Sequence, residues 1–326
     1  MGVSLFRAPL PSAMRSFYQK FLTERGLRDE NDAECIALYF DEEDTIIACG
    51  ARTGRLLKQF AVSPAAEGTG ACAAVASALV DNAFEAGIMH LMLCTKPENE
   101  RMFGSLGFYT LVATGDAILM ENRRDGLDRY LAALPHPEGK VGAVVCNCNP
   151  FTLGHRYLIE TASKQVDALH VFVLSEEGSQ FSPAERIDLV RKGTADLKNC
   201  YVHESNAYLV SRATFPAYFI KDTARVEDVR TDLDLLLFCR RIAPALGISV
   251  RFVGTEPFCP VTRAYNGRMK ELLPANNIEL VELPRHNDIS ASKVCALMKE
   301  GDLETIRTLV PETTYDLIRS KLTTDA

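Results

Sequence analysis

The stretch Val141-Gly142-Ala143-Val144-Val145-Cys146-Asn147-Cys148-Asn149-Pro150-Phe151-Thr152-Leu153-Gly154-His155-Arg156-Tyr157-Leu158-Ile159-Glu160 decides the fold. It opens as a short apolar run, breaks at a polar Asn-Pro turn, and continues as an amphipathic helix. That order predicts a buried strand running into a turn and a helix, the junction at which open α/β sheets bind ligands. Gly154 admits a ligand close to the backbone. His155 falls in the first helical turn, where free N–H groups and the helix dipole favour phosphate. An imidazole there can donate to a phosphate oxygen as charge builds. Phosphoryl chemistry depends on such positioning and electrostatics, so no nucleophilic side chain is required.

Outward from this segment, strand-like and helix-like patterns alternate to the end of the chain. They run Val141–Cys146, Gly154–Gln165, Ala168–Leu174, Pro183–Gly193, Val250–Gly254 and Ile278–Leu283. The alternation predicts a parallel sheet with helices on both faces. Upstream, the pattern breaks between Asn122 and Lys140, with Pro135-His136-Pro137-Glu138-Gly139-Lys140 as the punctuation. This gives two domains, residues 1–135 and 136–326, as a length of 326 residues leads one to expect.

The first domain reads differently. A helical spacing from Pro11 to Arg28 precedes short β-rich runs at Cys35–Phe40, Thr45–Gly50 and Leu56–Val62, an antiparallel meander. A turn at Glu67-Gly68-Thr69-Gly70 leads into a helical pattern from Ala71 to Glu85, and Met89–Thr95 reads as a strand. The whole is an α/β chain: an α+β domain followed by a Rossmann-like α/β/α domain.

Composition narrows the function. A net charge of −7 supplies no basic footprint for nucleic acid, and no apolar run reaches bilayer length, so a cytoplasmic protein is expected. The ten cysteines are scattered singly, which favours buried thiols over a metal site. Cys146 and Cys148, two apart on a strand end, are read as facing opposite sides, an awkward arrangement for chelating one metal.

A second phosphate-holding arrangement lies near the C-terminus. Asn287-Asp288-Ile289-Ser290-Ala291-Ser292-Lys293 opens a helix with hydroxyls and a cation in its first turn. Two helix N-termini meeting at one strand-edge crevice would hold a triphosphate from both ends. Arg186 is a further cation within reach by pattern, although an exposed helix Arg is an equal reading. Glu256, Arg263 and His286 stand near predicted strand ends and are weaker candidates, with solvated surface the better reading for the first two. The same strand-turn-helix serves ligases, plain adenylyltransferases acting on a phosphorylated cofactor precursor, and ATP-sensing modules without chemistry.

These segments resemble the nucleotidyltransferase superfamily that carries an (H/T)-x-G-H motif and a later I-S-S-T-x-x-R motif. Asn149-Pro150-Phe151-Thr152-Leu153-Gly154-His155-Arg156-Tyr157-Leu158-Ile159-Glu160 is similar to the signature of the citrate lyase ligase family. So are Ala213–Phe219, Ile242–Ile248 and Val253–Thr262. The resemblance implies an acid–thiol ligase. ATP and acetate would give acetyl-adenylate and pyrophosphate, with Mg2+ accompanying ATP. The acetyl group would pass to the thiol of the CoA-like prosthetic group on the citrate lyase acyl carrier subunit. It implies Thr152, His155 and Lys293 as catalytic residues, with Asn149, Phe151, Gly154, Ser290 and Ser292 around the nucleotide; Arg186, outside both motifs, joins them only by its place in the chain. One departure stands out: Cys295 occupies the position of the motif's final arginine, and Lys293 is the expected substitute cation.

The meander, the glycine turn and Lys96–Tyr109 resemble the GNAT acyltransferase fold, whose loop before the long helix binds the pyrophosphate of CoA. Gly68 and Gly70 fit its (Q/R)-x-x-G-x-(G/A) pattern, whereas Ala65 replaces the first polar residue. The resemblance implies that this domain binds the CoA-like arm and presents its thiol; a GNAT acetyltransferase is the alternative reading. A turn and helix cap alone would also explain both glycines.

Overall fold

Seven strands form the first sheet of the computed structural model, which describes residues 2–175, 180–209, 215–257, 259–285 and 289–324. They are β1 (Gly2–Arg7), β2 (Cys35–Phe40), β3 (Ile46–Thr53), β4 (Leu56–Val62), β5 (Met92–Thr95), β6 (Tyr109–Ala113) and β7 (Ile118–Glu121), in the order β1-β2-β3-β4-β5-β7-β6. The meander β2 to β4 is antiparallel, as its short connections require, and β1 pairs antiparallel with β2 across the intervening helix Ser12–Glu24. The helix Ala71–Glu85 turns Val75, Leu79 and Ala83 into the core beneath it, at the i, i+4 spacing of a helix face. Strands β4 and β5 are parallel, paired only at Leu56 with Met92 and Leu57 with Leu93.

Past that point the ladder is not continued, and Gln59 adopts a left-handed φ of 56°. Tyr218 fills the opening. Its fully buried side chain donates from the hydroxyl to the Cys94 carbonyl of β5 at 3.3 Å, and the backbone of Gln59 in β4 is hydrogen-bonded to the same hydroxyl.

By contact the chain forms two compact units, Met1–Leu127 with Thr214–Leu233 and Asp128–Ala213 with Asp234–Ala326. The expected division at residue 135 therefore differs from this partition in two ways. The first unit ends a few residues earlier, and a segment expected in the second domain packs with the first. Its apolar residues Phe215, Tyr218 and Phe219 are buried there, and Arg28 donates to the carbonyls of Ala217 and Ile220.

The second unit holds β8 (Val141–Cys146), β9 (Ala168–Val173), β10 (Cys200–Glu204), β11 (Ile248–Gly254) and β12 (Glu279–Leu283). All its pairings are parallel, in the order β10-β9-β8-β11-β12, as the alternating pattern predicts. The chain builds outward from β8 to β10, then crosses to the other side of β8 for β11 and β12. Strand order thus reverses between β8 and β11, and the crevice beyond their carboxyl ends is the expected ligand position. The decisive stretch supplies β8 itself. Among the described residues no helix is long and apolar enough to cross a membrane.

Candidate active site

Strand β8 ends at Cys146, and the backbone turns sharply before the helix Leu153–Ser163 begins. Cys148 has a left-handed φ of 50°, which swings its thiol back to within 3.1 Å of the Cys146 sulfur. This corrects the expectation that the two thiols face opposite sides: residues two apart on an extended strand share a face, and the turn at Cys148 keeps the sulfurs together. Burial raises the Cys148 thiol well above its ordinary range. The Asn149–Pro150 peptide is cis, and the Asn149 side chain accepts from the Phe181 N–H at 3.2 Å.

Thr152 caps the helix reciprocally with His155. The Thr152 hydroxyl accepts from the His155 N–H at 3.3 Å, and the Thr152 N–H donates to His155 Nδ1 at 3.2 Å. An imidazole here completes a capping box ordinarily closed by Glu or Gln. Because Nδ1 is an acceptor, the neutral ring carries its proton on Nε2. Desolvation, and secondarily the Arg285 charge, lower the His155 pKa to about 4. At neutral pH the ring is therefore an uncharged Nε2–H donor held by its own helix cap.

Phe151 supports this ring from below. It is fully buried and stacks on His155 with centroids 6.1 Å apart. The expected nucleotide contact at Phe151 is thus corrected: the side chain belongs to the core and does not line the cleft. Gly193 makes room for it, since a Cβ there would lie 2.4 Å from the Phe151 ring. Gly154 serves a second close approach. An added Cβ would stand 3.2 Å from the Ile289 carbonyl, so the missing side chain lets the two helix starts lie together.

Those two starts open on one cavity of about 470 Å³, whose wall includes Thr152, Gly154, His155, Ser290 and Ser292. Ser290 caps the helix Ala291–Glu300 by accepting from the Lys293 N–H at 3.1 Å. An adjoining cavity of about 590 Å³ is walled by Asn147, Asn149, His155, Ser292, Cys295 and Lys299, among others. Ser292, Cys295 and Lys299 recur at i, i+3 and i+7, one face of the helix. Lys293 stands one residue round from that face, exposed, and lines neither cavity. The expectation for Lys293 is therefore corrected: the cation of this helix that lines the cavity is Lys299, one turn beyond Cys295. The Cys295 thiol itself lies 3.7 Å from the Asn149 carbonyl.

Arg186 is also corrected. It is fully buried, neither an exposed helix residue nor a cavity residue, and its guanidinium donates to the Asn147 carbonyl at 3.1 Å and to the Asn147 side chain. It holds the strand-edge loop in place. Gly68 and Gly70 have φ of 75° and 88°, a conformation that favours glycine, and both lie in an exposed turn at the start of the helix Ala71–Glu85. His286, Asn287 and Asp288 lie outside the described residues.

Two cleft residues escape the sequence reading. Arg285, at the end of β12, is partly buried and pairs with Glu256 at 2.9 Å, so Glu256 is a partner inside the cleft rather than solvated surface. Position at a strand end was the available signal. Arg251, two per cent exposed, lies within β11; its signal was a single charge inside the apolar run Ile248-Ser249-Val250-Arg251-Phe252-Val253-Gly254.

Comparison with known proteins fits this picture. The family model described as the citrate lyase ligase C-terminal domain matches residues 141–318. A [citrate [pro-3S]-lyase] ligase of Klebsiella pneumoniae is 42% identical over 93% of this chain and 92% of its own length. Its Escherichia coli counterpart is 42% identical over 93% of this chain and 90% of its own. That of Haemophilus influenzae is 37% identical over 93% and 95%.

Proposed function

Because this chain belongs to the citrate lyase ligase family, we propose that it joins ATP and acetate into acetyl-adenylate, releases pyrophosphate, and passes the acetyl group to the thiol of the CoA-like group on the citrate lyase acyl carrier subunit. The supporting observation is the pinned, neutral His155 facing a cavity shared by two helix N-termini. A carboxylate oxygen attacks the α-phosphorus, and the bond from that phosphorus to the bridging oxygen breaks. Negative charge moves onto the departing pyrophosphate. His155 Nε2–H, the free N–H groups of both helix starts, Arg285 and Lys299 are donors placed for that charge. A Mg2+ accompanying ATP would neutralise part of the triphosphate, held through phosphate oxygens and water.

In the second half-reaction the thiol sulfur attacks the acetyl carbonyl, the thiol proton is lost, and AMP departs. For the CoA-like arm, the Gly68–Gly70 turn offers backbone N–H groups and a helix N-terminus to its phosphates. The reaction belongs in the cytoplasm, where ATP and the carrier subunit meet.

The test is exchange of labelled pyrophosphate into ATP. Exchange that requires acetate is expected. Exchange without acetate but with a phosphorylated cofactor precursor would make the protein a plain adenylyltransferase, and no exchange would leave an ATP-sensing module. Titration of the full chain with dephospho-CoA tests the arm site, and absence of binding heat would remove it.

A further inference from the structure

The ligase reading leaves open what recognises the carboxylate, and the cleft contains a side chain suited to it. Val250 and Phe252 of β11 face the core shared with the helix Leu153–Ser163. The two-residue period of a strand therefore turns Arg251, between them, to the opposite face. There its guanidinium carbon lies 4.5 Å from the Phe238 ring centroid, and Nη2 donates to the Tyr265 hydroxyl at 3.3 Å. Tyr265 in turn donates to Asp234. Nε and Nη1 are buried and have no hydrogen-bond partner among the described residues.

A buried cation with unfilled donors is costly unless an anion completes it. Arg251 and Tyr265 both line the cavity that holds His155, beside the apolar side chains of Val145, Val253 and Met269. A charged acceptor with a small apolar tail is what this corner can accommodate. The triphosphate has its donors at the helix starts along the strand edge. Arg251 stands three residues inside β11 from Gly254, about 10 Å of strand, with the Asp234 carboxylate reached through Tyr265 and Nε and Nη1 left for an acceptor on the ligand.

Resting on the proposed ligase reaction, we propose that Arg251, oriented by Tyr265 and Asp234, binds the carboxylate of a short-chain acid, with Val145, Val253 and Met269 against its alkyl end. The guanidinium takes the carboxylate charge while one carboxylate oxygen remains free to attack the α-phosphorus. Recognition is by charge and by the size of the apolar corner, which favours an acid with a short tail.

The experiment is pyrophosphate–ATP exchange by the full chain, with acetate and ATP varied separately, for the native protein, Arg251→Lys and Tyr265→Phe. The expected result is a rise of at least about tenfold in half-saturating acetate for Arg251→Lys, because the ammonium loses the planar donor set. Tyr265→Phe gives a smaller rise, and half-saturating ATP stays within about twofold in both. Unchanged acetate dependence in a folded variant, or an equal rise for ATP, would overturn the assignment. Should Arg251→Lys fail to fold, Tyr265→Phe decides alone. Native protein without acetate-dependent exchange would instead refute the ligase reading, an outcome distinct from active native protein with unaffected variants.

Discussion

The Thr152 N–H donates to Nδ1 of His155 at 3.2 Å, so the helix cap and the tautomer of the catalytic candidate are one structural feature. Replacing His155 by Ala removes an Nε2–H donor and should lower acetate-dependent exchange about a hundredfold or more. Thr152→Ala keeps the backbone bond but loses the hydroxyl cap. It should cost about 1 kcal/mol of stability and roughly tenfold in rate, since the ring is less well fixed. With the His155 pKa near 4, exchange should be flat in this residue's titration from pH 7 to pH 5 and fall only as the ring protonates. A loss centred near pH 6.5 that disappears in His155→Gln would contradict the neutral-donor role.

Gly193 lies under Phe151, which lies under His155. Gly193→Ala drives a methyl into the ring and should destabilise the second unit by about 1–3 kcal/mol. A thermal melt together with the exchange rate checks this. Both should drop, because the displaced ring is the one on which His155 rests.

Lys299 and Lys293 separate two ways of replacing the arginine absent at position 295. Lys299 lines the cavity beside Cys295, and Lys293 does not. Lys299→Ala should raise half-saturating ATP severalfold, whereas Lys293→Ala should change it by less than about twofold. Comparable losses in both variants would reject the helix-face assignment.

The sheet of the second unit contains a buried histidine pair, His170 Nδ1 and His203 Nε2 at 2.8 Å, on neighbouring strands β9 and β10. One ring donates and the other accepts, which two neutral imidazoles can do. Desolvation lowers each pKa to about 4, against about 6.5 in an unfolded chain. Between these values the unfolded chain binds more protons. Stability present above pH 6.5 is therefore progressively lost as pH falls towards 4, by up to about 3 kcal/mol per histidine. Urea denaturation from pH 7 to pH 4.5 should show the decline, and His170→Asn with His203→Gln should flatten most of it.

Regular segments were the legible part of the molecule. The apolar run Val141–Cys146 and the helix Ala71–Glu85 coincide with their sequence patterns, because burial of one face imposes a period that residue order displays directly. Strands β1, β6, β7 and β10 were not read from the pattern. They are short, and their burial is irregular or set by neighbours distant in sequence. In the site, Thr152, Gly154, His155, Ser290 and Ser292 are brought together as the two-helix pattern requires. Phe151 and Lys293 were placed by motif membership and Arg186 by its position in a helical pattern, whereas the structure turns Phe151 and Arg186 into the core and Lys293 away from the cavities.

The sequence alone determined the strand-turn-helix, the parallel sheet and the family, since these follow from local periodicity and from residue types at fixed spacing. The tertiary structure decided which charges face the cleft. A helix presents only one residue in three or four to a given side, so adjacent cations such as Lys293 and those a turn away such as Lys299 cannot be ranked until the helix is docked. The tautomer at His155 depended on both: residue order placed threonine three positions ahead of histidine, and only the folded cap directed its N–H to Nδ1.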